Sequence, residues 1–274
     1  MCGIIGYIGK SSATPILIDG IKTLEYRGYD SAGIALVSLN GTIKVTKTIG
    51  RVADLEKKIG NKHNFESQAG ICHSRWATHG KVSESNAHPH SDCEKNIWLV
   101  HNGIIENYQE LKKELIRSGH RFRSETDTEV VPHLIEAIKN KARVSFIEAV
   151  RQALSKIKGT YGLAIIDKNE PDKLIAVRNF SPLVLGIGEG EYLIASDAAA
   201  VLKRTRKVIY LNDGEIAVLT AHHHRILSFQ NNPIYRQPEQ IDWTPEQAQK
   251  GGYPHLMLKE IFEQPEAIEN SVRG

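Results

Sequence analysis

What most limits the fold of this chain is the pattern of its second half. From Tyr161 onward, short apolar runs follow one another over 163–167, 174–177, 183–187, 192–195, 208–211, 215–220 and 226–229, joined by short loops. Helical patterns are confined to separate blocks: 14–26, with Pro15 near its first turn and Ile16, Leu17, Ile21 and Leu24 at helical spacing, then 52–59, 106–118, 128–139 and 145–157. Gly119 closes the third of these, and Asp127 or Thr126 caps the fourth. Further strands are expected over 2–9, 70–74 and 97–101, the last ending at Asn102-Gly103. A hairpin pairs 34–39 with 42–48, where Asn40-Gly41 between two β-branched runs signals a two-residue turn. Hairpin-spaced strands with helices in separate blocks predict antiparallel sheets covered by helices, an α+β arrangement rather than a doubly wound parallel one.

Composition narrows the class. A net charge of +3, from 35 basic against 32 acidic residues, is too slight to argue for nucleic acid or a membrane surface. No apolar run of membrane-spanning length occurs, and the apolar start lacks a basic leader. The three cysteines, Cys2, Cys72 and Cys93, cannot build a disulfide framework and suit a reducing compartment, so a cytoplasmic protein is expected. Beyond about Gln230 the chain turns polar and proline-rich, with one further helix candidate over 256–262. The expected organisation is one domain over 2–230 followed by a polar linker over 231–274.

The chemistry centres on Cys2. Removal of Met1 would leave a residue with both a thiol and a free α-amine. A thiol of ordinary pKa about 8.5 is only slightly ionised at neutral pH, and an α-amine titrating near 8 can take its proton. Position alone favours a plainer role, a small residue opening a strand. Four polar clusters at the ends of expected strands change that balance: Arg27 to Ser31, Arg75-Trp76-Ala77-Thr78-His79-Gly80, His101-Asn102-Gly103 and Ser124-Glu125-Thr126-Asp127. A cysteine acyl-transfer site needs an oxyanion hole, and the Asn102 side-chain N–H with the Gly103 backbone N–H offers two donors, each worth roughly 3 kcal/mol of barrier. A free amino-acid substrate needs an arginine for its carboxylate and an acid for its ammonium, jobs that suit Arg75 and Asp127.

The start Cys2-Gly3-Ile4-Ile5-Gly6, the run Leu24-Glu25-Tyr26-Arg27-Gly28-Tyr29-Asp30-Ser31-Ala32-Gly33, the Arg75 to Gly80 motif, His101-Asn102-Gly103-Ile104-Ile105-Glu106-Asn107 and Ser124-Glu125-Thr126-Asp127-Thr128-Glu129 together closely resemble the glutaminase domain of the glutamine:fructose-6-phosphate amidotransferases. Relatives acting on phosphoribosyl pyrophosphate carry variants of the Tyr26-Arg27-Gly28 and Arg75-Trp76-Ala77-Thr78 motifs. The resemblance implies the N-terminal-nucleophile hydrolase fold, a four-layer αββα sandwich. It implies Cys2 as nucleophile with its α-amine as base, Asn102 and Gly103 as the oxyanion hole, and Arg27 orienting the N-terminus. Arg75 and Asp127 would hold glutamine by its α-groups, with Thr78 and His79 lining the pocket and Trp76 gating it.

The implied reaction is hydrolysis of L-glutamine through a γ-glutamyl thioester. In a complete enzyme the ammonia would pass to a sugar-isomerase domain that binds fructose 6-phosphate, and Lys259-Glu260-Ile261-Phe262-Glu263-Gln264-Pro265 resembles the linker toward it. A homodimer is expected only through that further domain, and no cofactor is expected. Two rivals compete. One is a zinc site drawn from Cys72, His73, His79, His88, His90, Cys93 and His101, which lacks any Cys-x-x-Cys spacing, so no metal is expected. His222-His223-His224 reads as an exposed turn or strand end. The other rival is a glutamine-binding module without turnover, against which every motif residue is intact.

Overall fold

Strand β1 (Gly3–Gly9) is buried on both faces, and its alternation decides which layer each residue joins. Ile5 and Tyr7 pack with Leu17 and Ile21 of helix α1 (Ala13–Thr23), whereas Ile4 and Ile8 point to the opposite side, into a core shared with a second sheet. The structure is a computed structural model that describes residues 2–60, 65–76, 80–243 and 253–272. Strands β2 (Ser31–Val37), β3 (Ile43–Ile49), helix α2 (Val52–Ile59) and β4 (Ala69–Arg75) complete the N-terminal part of the first sheet. The second sheet starts with β5 (His90–Ser91) and β6 (Ile97–Ile105). Helices α3 (Tyr108–Arg117), α4 (Val130–Ala142) and α5 (Phe146–Leu154) follow.

The remaining strands return the chain to both sheets: β7 (Gly159–Asp167), β8 (Leu174–Asn179), β9 (Val184–Gly188), β10 (Glu191–Ala195), β11 (Lys207–Tyr210), β12 (Glu215–Leu219), β13 (His224–Ser228), β14 (Pro233–Ile234) and β15 (Glu239–Gln240). One sheet has eight strands in the order β15-β11-β9-β10-β1-β4-β2-β3, and the other seven in the order β14-β13-β12-β8-β7-β6-β5. The strand pairs are antiparallel. Leu99, Leu163, Ile165 and Ile175 meet Val131, Ile135 and Phe146 of the α3–α5 layer, while Val100, Ala164 and Ile166 face the first sheet. The layers therefore run α1–α2, sheet, sheet, α3–α5, the expected αββα sandwich.

Several local readings are corrected. The β2–β3 connection is not a two-residue turn. Ser38 N–H donates to Thr42 O at 3.0 Å and Gly41 N–H to Ser38 O at 2.9 Å, so 39–41 form a three-residue loop with Gly41 at φ +80°. A type I turn closed by a left-handed glycine suits the strand twist as well as the two-residue form does. Strand β6 does not end before Asn102-Gly103 but runs through them, pairing Asn102 with Gly162 and Gly103 with Tyr161. Neither Thr126 nor Asp127 caps α4. The cap position falls on Glu129, and the Asp127 carboxylate instead accepts Ile105 N–H at 2.7 Å. In the polar tail, β14 and β15 extend the two sheets, Ile241 is buried, and helix α6 (Leu256–Val272) outruns the expected 256–262.

Candidate active site

The sandwich brings the ends of strands from both sheets to one cavity. Cys2 immediately precedes β1, Arg75 is the last residue of β4 and Trp76 follows it, Asn102 and Gly103 lie in β6, and Asp127 sits in the segment leading to α4. All six line a cavity of about 290 Å³, together with His73, His101, Thr126 and Thr160. Arg75 and Asp127 are 4% and 5% exposed, so two opposite charges face a small ligand from a nearly dry wall. Trp76 is 46% exposed at the rim and meets the Tyr29 ring edge-on at 5.7 Å. Thr78 and His79 lie outside the described residues. Arg27 falls in a short 3₁₀ turn (Glu25–Arg27) beside this end of the sheet, and its side chain is outside the description.

Cys2 is held in place by three contacts to two residues. Trp76 N–H donates to Cys2 Sγ at 3.2 Å, Cys2 Sγ lies 3.6 Å from Trp76 O, and Asn102 Nδ2 donates to Cys2 O at 2.9 Å. Burial pushes the thiol above its ordinary value, and the Trp76 N–H opposes this. An unassisted Cys2 is thus a poor source of thiolate at neutral pH, which makes a nearby base more valuable. Burial also lowers the Arg75 guanidinium, while Cys2, Asp127 and Asp30 counter it; the group keeps its charge.

Asn102 is fixed from behind by His73, which the sequence offered only as a zinc candidate. His73 Nε2 lies 3.0 Å from Asn102 Oδ1 and 3.2 Å from His101 O, two acceptors that require the Nε2–H tautomer. That choice turns the Asn102 amide so that Nδ2 points to Cys2. His73 stacks on His88 at 4.2 Å, and His88 meets His90 edge-on at 4.7 Å. His101 Nδ1 lies 2.9 Å from Thr128 Oγ1, and His90 Nε2 lies 3.2 Å from Thr126 Oγ1. Burial lowers all four imidazoles, His73 to about 3, so the layer under the cavity is neutral and its hydrogen-bond directions are set by tautomer rather than charge. The pairing of His73 with Asn102 spans two sheets and has no local sequence signal.

Gly103 needs its residue type. Its φ is +131°, and a Cβ there would stand 2.0 Å from Thr160 O. The zinc set considered from sequence is not assembled. Cys72 is in the core between β4 and α1, and His73, His88, His90 and His101 are occupied with one another and with the threonines. Among the described residues of that set, Cys93 alone joins a metal-capable group, with partners the sequence did not link to it.

A thiol, an amide donor, a buried arginine and a buried carboxylate around one small cavity define a site for acyl transfer from an amino-acid amide, on the fold of the N-terminal-nucleophile amidotransferases. The pattern of the glutamine amidotransferase domain family matches residues 73–203 of this chain. The chain is 53% identical over 276 residues to the glutamine–fructose-6-phosphate aminotransferase (isomerizing) of Thermococcus kodakarensis, with 100% of this chain aligned to 45% of that protein. The protein of the same name from Chlorobaculum tepidum is 48% identical over 277 residues, again with 45% of its length covered. The chain therefore spans a little under half the length of these relatives. Among solved structures, the glutamine phosphoribosylpyrophosphate amidotransferase from B. subtilis complexed with ADP and GMP superposes with a TM-score of 0.72 at 25% identity, over 85% of this chain and 50% of that one. Among the described residues, no helix is long and apolar enough to cross a membrane.

Proposed function

We propose that this domain hydrolyses the side-chain amide of L-glutamine, with Cys2 as nucleophile. The observation that carries this reading is the convergence of Cys2, Asn102, Gly103, Arg75 and Asp127 on one cavity. Arg75 takes the substrate α-carboxylate and Asp127 its α-ammonium, which aims the side-chain amide toward Cys2. Once Met1 is removed, the Cys2 α-amine accepts the thiol proton, and the thiolate attacks the amide carbon. The developing oxyanion is met by the Asn102 Nδ2–H and the Gly103 N–H. Collapse breaks the carbon–nitrogen bond, the α-ammonium protonates the leaving group, and ammonia departs. Water then cleaves the γ-glutamyl thioester, giving glutamate and the free thiol. Trp76, exposed at the rim, is suited to closing over bound glutamine, and Arg27, Thr78 and His79 complete the surroundings on the motif resemblance.

The glutaminase unit would run past the expected boundary at 230, through β14, β15 and the buried Ile241, with the residues beyond them a connection to a further domain. The name shared by the relatives, glutamine–fructose-6-phosphate aminotransferase (isomerizing), supports fructose 6-phosphate as the ammonia acceptor there, in which case the whole protein would make an amino sugar phosphate. The test is covalent labelling. The purified chain, incubated with an electrophilic glutamine analogue, should show by intact mass the loss of Met1 and one adduct, and should release glutamate from glutamine. Cys2→Ala should take no adduct. Retention of Met1 with neither adduct nor glutamate would leave a glutamine-binding module instead.

A further inference from the structure

Behind the helical layer, away from the cavity lining, four side chains from three segments converge. Cys93 follows β5, His120 follows the C-terminal turn of α3, and His133 and Glu136 stand three residues apart on α4, where a single helix face presents both. Cys93 Sγ is 3.7 Å from His120 Nδ1 and 3.5 Å from His133 Nδ1. Glu136 Oε2 is 3.1 Å from His120 Nδ1 and 3.8 Å from His133 Nδ1. All four donor atoms fall within 4.8 Å of one another.

These distances have the shape of a coordination polyhedron. A tetrahedral zinc ion, with bonds of about 2.3 Å to sulfur and about 2.0–2.1 Å to nitrogen or oxygen, sets sulfur–nitrogen edges near about 3.6 Å and nitrogen–oxygen edges near about 3.3 Å. The observed edges bracket both values. We propose that Cys93, His120, His133 and Glu136 form a structural site for one divalent transition metal, zinc by the chemistry of its donors. One thiolate and one carboxylate balance the charge of the ion, and four protein ligands leave no open position, the mark of a structural rather than a catalytic centre.

The surroundings support the ligand orientations. His133 Nε2 stands 3.6 Å from Glu129 Oε1, an ion-pair distance, and Nδ1 is the ring nitrogen that faces Cys93 and Glu136. Glu129 is itself held by Arg123 N–H at 2.8 Å and Ser124 N–H at 2.6 Å. Arg121 N–H donates to Cys93 Sγ at 3.4 Å, as backbone amides do to metal thiolates. His133 and Glu136 are 1% and 7% exposed, so these two donor atoms stand in a nearly dry setting. The ligands His120 and His133 bracket the segment that carries Thr126, Asp127 and Thr128. An ion here would clamp that segment to the end of α3 and to the β5–β6 turn. The sequence reading expected no metal: it weighed Cys93 with Cys72, His73, His79, His88, His90 and His101, whereas His120, His133 and Glu136 meet Cys93 only in the fold.

The experiment uses the 274-residue chain, stripped with a chelator and reloaded with zinc or cobalt. One zinc ion per chain should survive desalting, and the melting temperature should rise on reloading. The cobalt form should show a thiolate charge-transfer band that persists in Cys2→Ala and vanishes in Cys93→Ser. Glu136→Gln and His133→Ala, checked for folding by circular dichroism, should bind zinc about 100-fold more weakly or less tightly still. The proposal is overturned if the stripped chain retains no zinc on reloading, as expected of a group that shares only protons. It is equally overturned if the cobalt band is indifferent to Cys93→Ser, or if binding disappears on replacing His222 and His223 but not His133 or Glu136.

Discussion

Asn102 does three things with one side chain. Its oxygen is held by His73, one N–H is spent on the Cys2 carbonyl, and it lines the cavity where an oxyanion would form. Asn102→Ala should therefore lower kcat by about 100- to 1,000-fold with a smaller effect on KM, since an oxyanion donor acts mainly in the transition state. Steady-state glutaminase kinetics check this, and an equal loss in both parameters would point to substrate positioning instead. Cys2, Arg75, Trp76, Asn102, Gly103 and Asp127 were legible as a group because each stands in a long motif, and the cavity unites them. His73 was not, because its role depends on which neighbour lies across the sandwich. The Cys93 group was hidden for the same reason: its members come from a turn, a helix end and a helix face, and only the packing brings them together.

At the level of elements, periodicity served well where a strand or helix buries a continuous face. Helix α2 has the expected bounds, and α5 is capped by Ser145, where the helix was expected to begin and whose hydroxyl accepts Glu148 N–H, though it ends at Leu154 rather than 157. Errors fell where a residue with turn chemistry was enlisted otherwise. Asn102-Gly103 sits inside β6 because the backbone of β7 pairs across it, and Asp127 serves Ile105 instead of its own helix. The short β14 and β15 were missed because two residues carry no period. Phe146, fully buried at the start of α5, anchors the outer helical layer against β6, β7 and β8. Phe146→Ala should cost roughly 3–5 kcal/mol of unfolding free energy, measured by denaturant titration, while the reactivity of Cys2 toward a glutamine analogue at 25 °C stays close to that of the parent chain. Loss of that reactivity in a folded variant would show that the α3–α5 layer positions the site directly.

For the whole molecule, the buried histidine layer predicts how it meets acid. The folded chain holds His73 at about 3 and His88, His90 and His101 below their ordinary value near 6.5, with burial as the first cause in each. Between those limits the unfolded chain binds protons that the folded chain refuses. Stability is then fully present above about pH 6.5 and falls as pH drops below it, by up to about 1.4 kcal/mol per pH unit for His73 down toward 3, with the other three adding to the loss in the same direction. Denaturation midpoints measured from pH 7 to pH 5 should decline, and His73→Asn should flatten the decline; a constant midpoint would contradict the neutral assignment. The cavity itself has no scaffold of its own. Cys2 and Arg75 belong to one sheet and Asn102 and Gly103 to the other, so the gap from sulfur to amide donor is fixed by the thickness of the apolar layer between them, by residues such as Ile4, Val100 and Ala164 that never touch a substrate. A methyl group added or removed in that layer would slide one sheet over the other and detune the chemistry from a distance, which makes the inner core a dial for turnover as much as a source of stability.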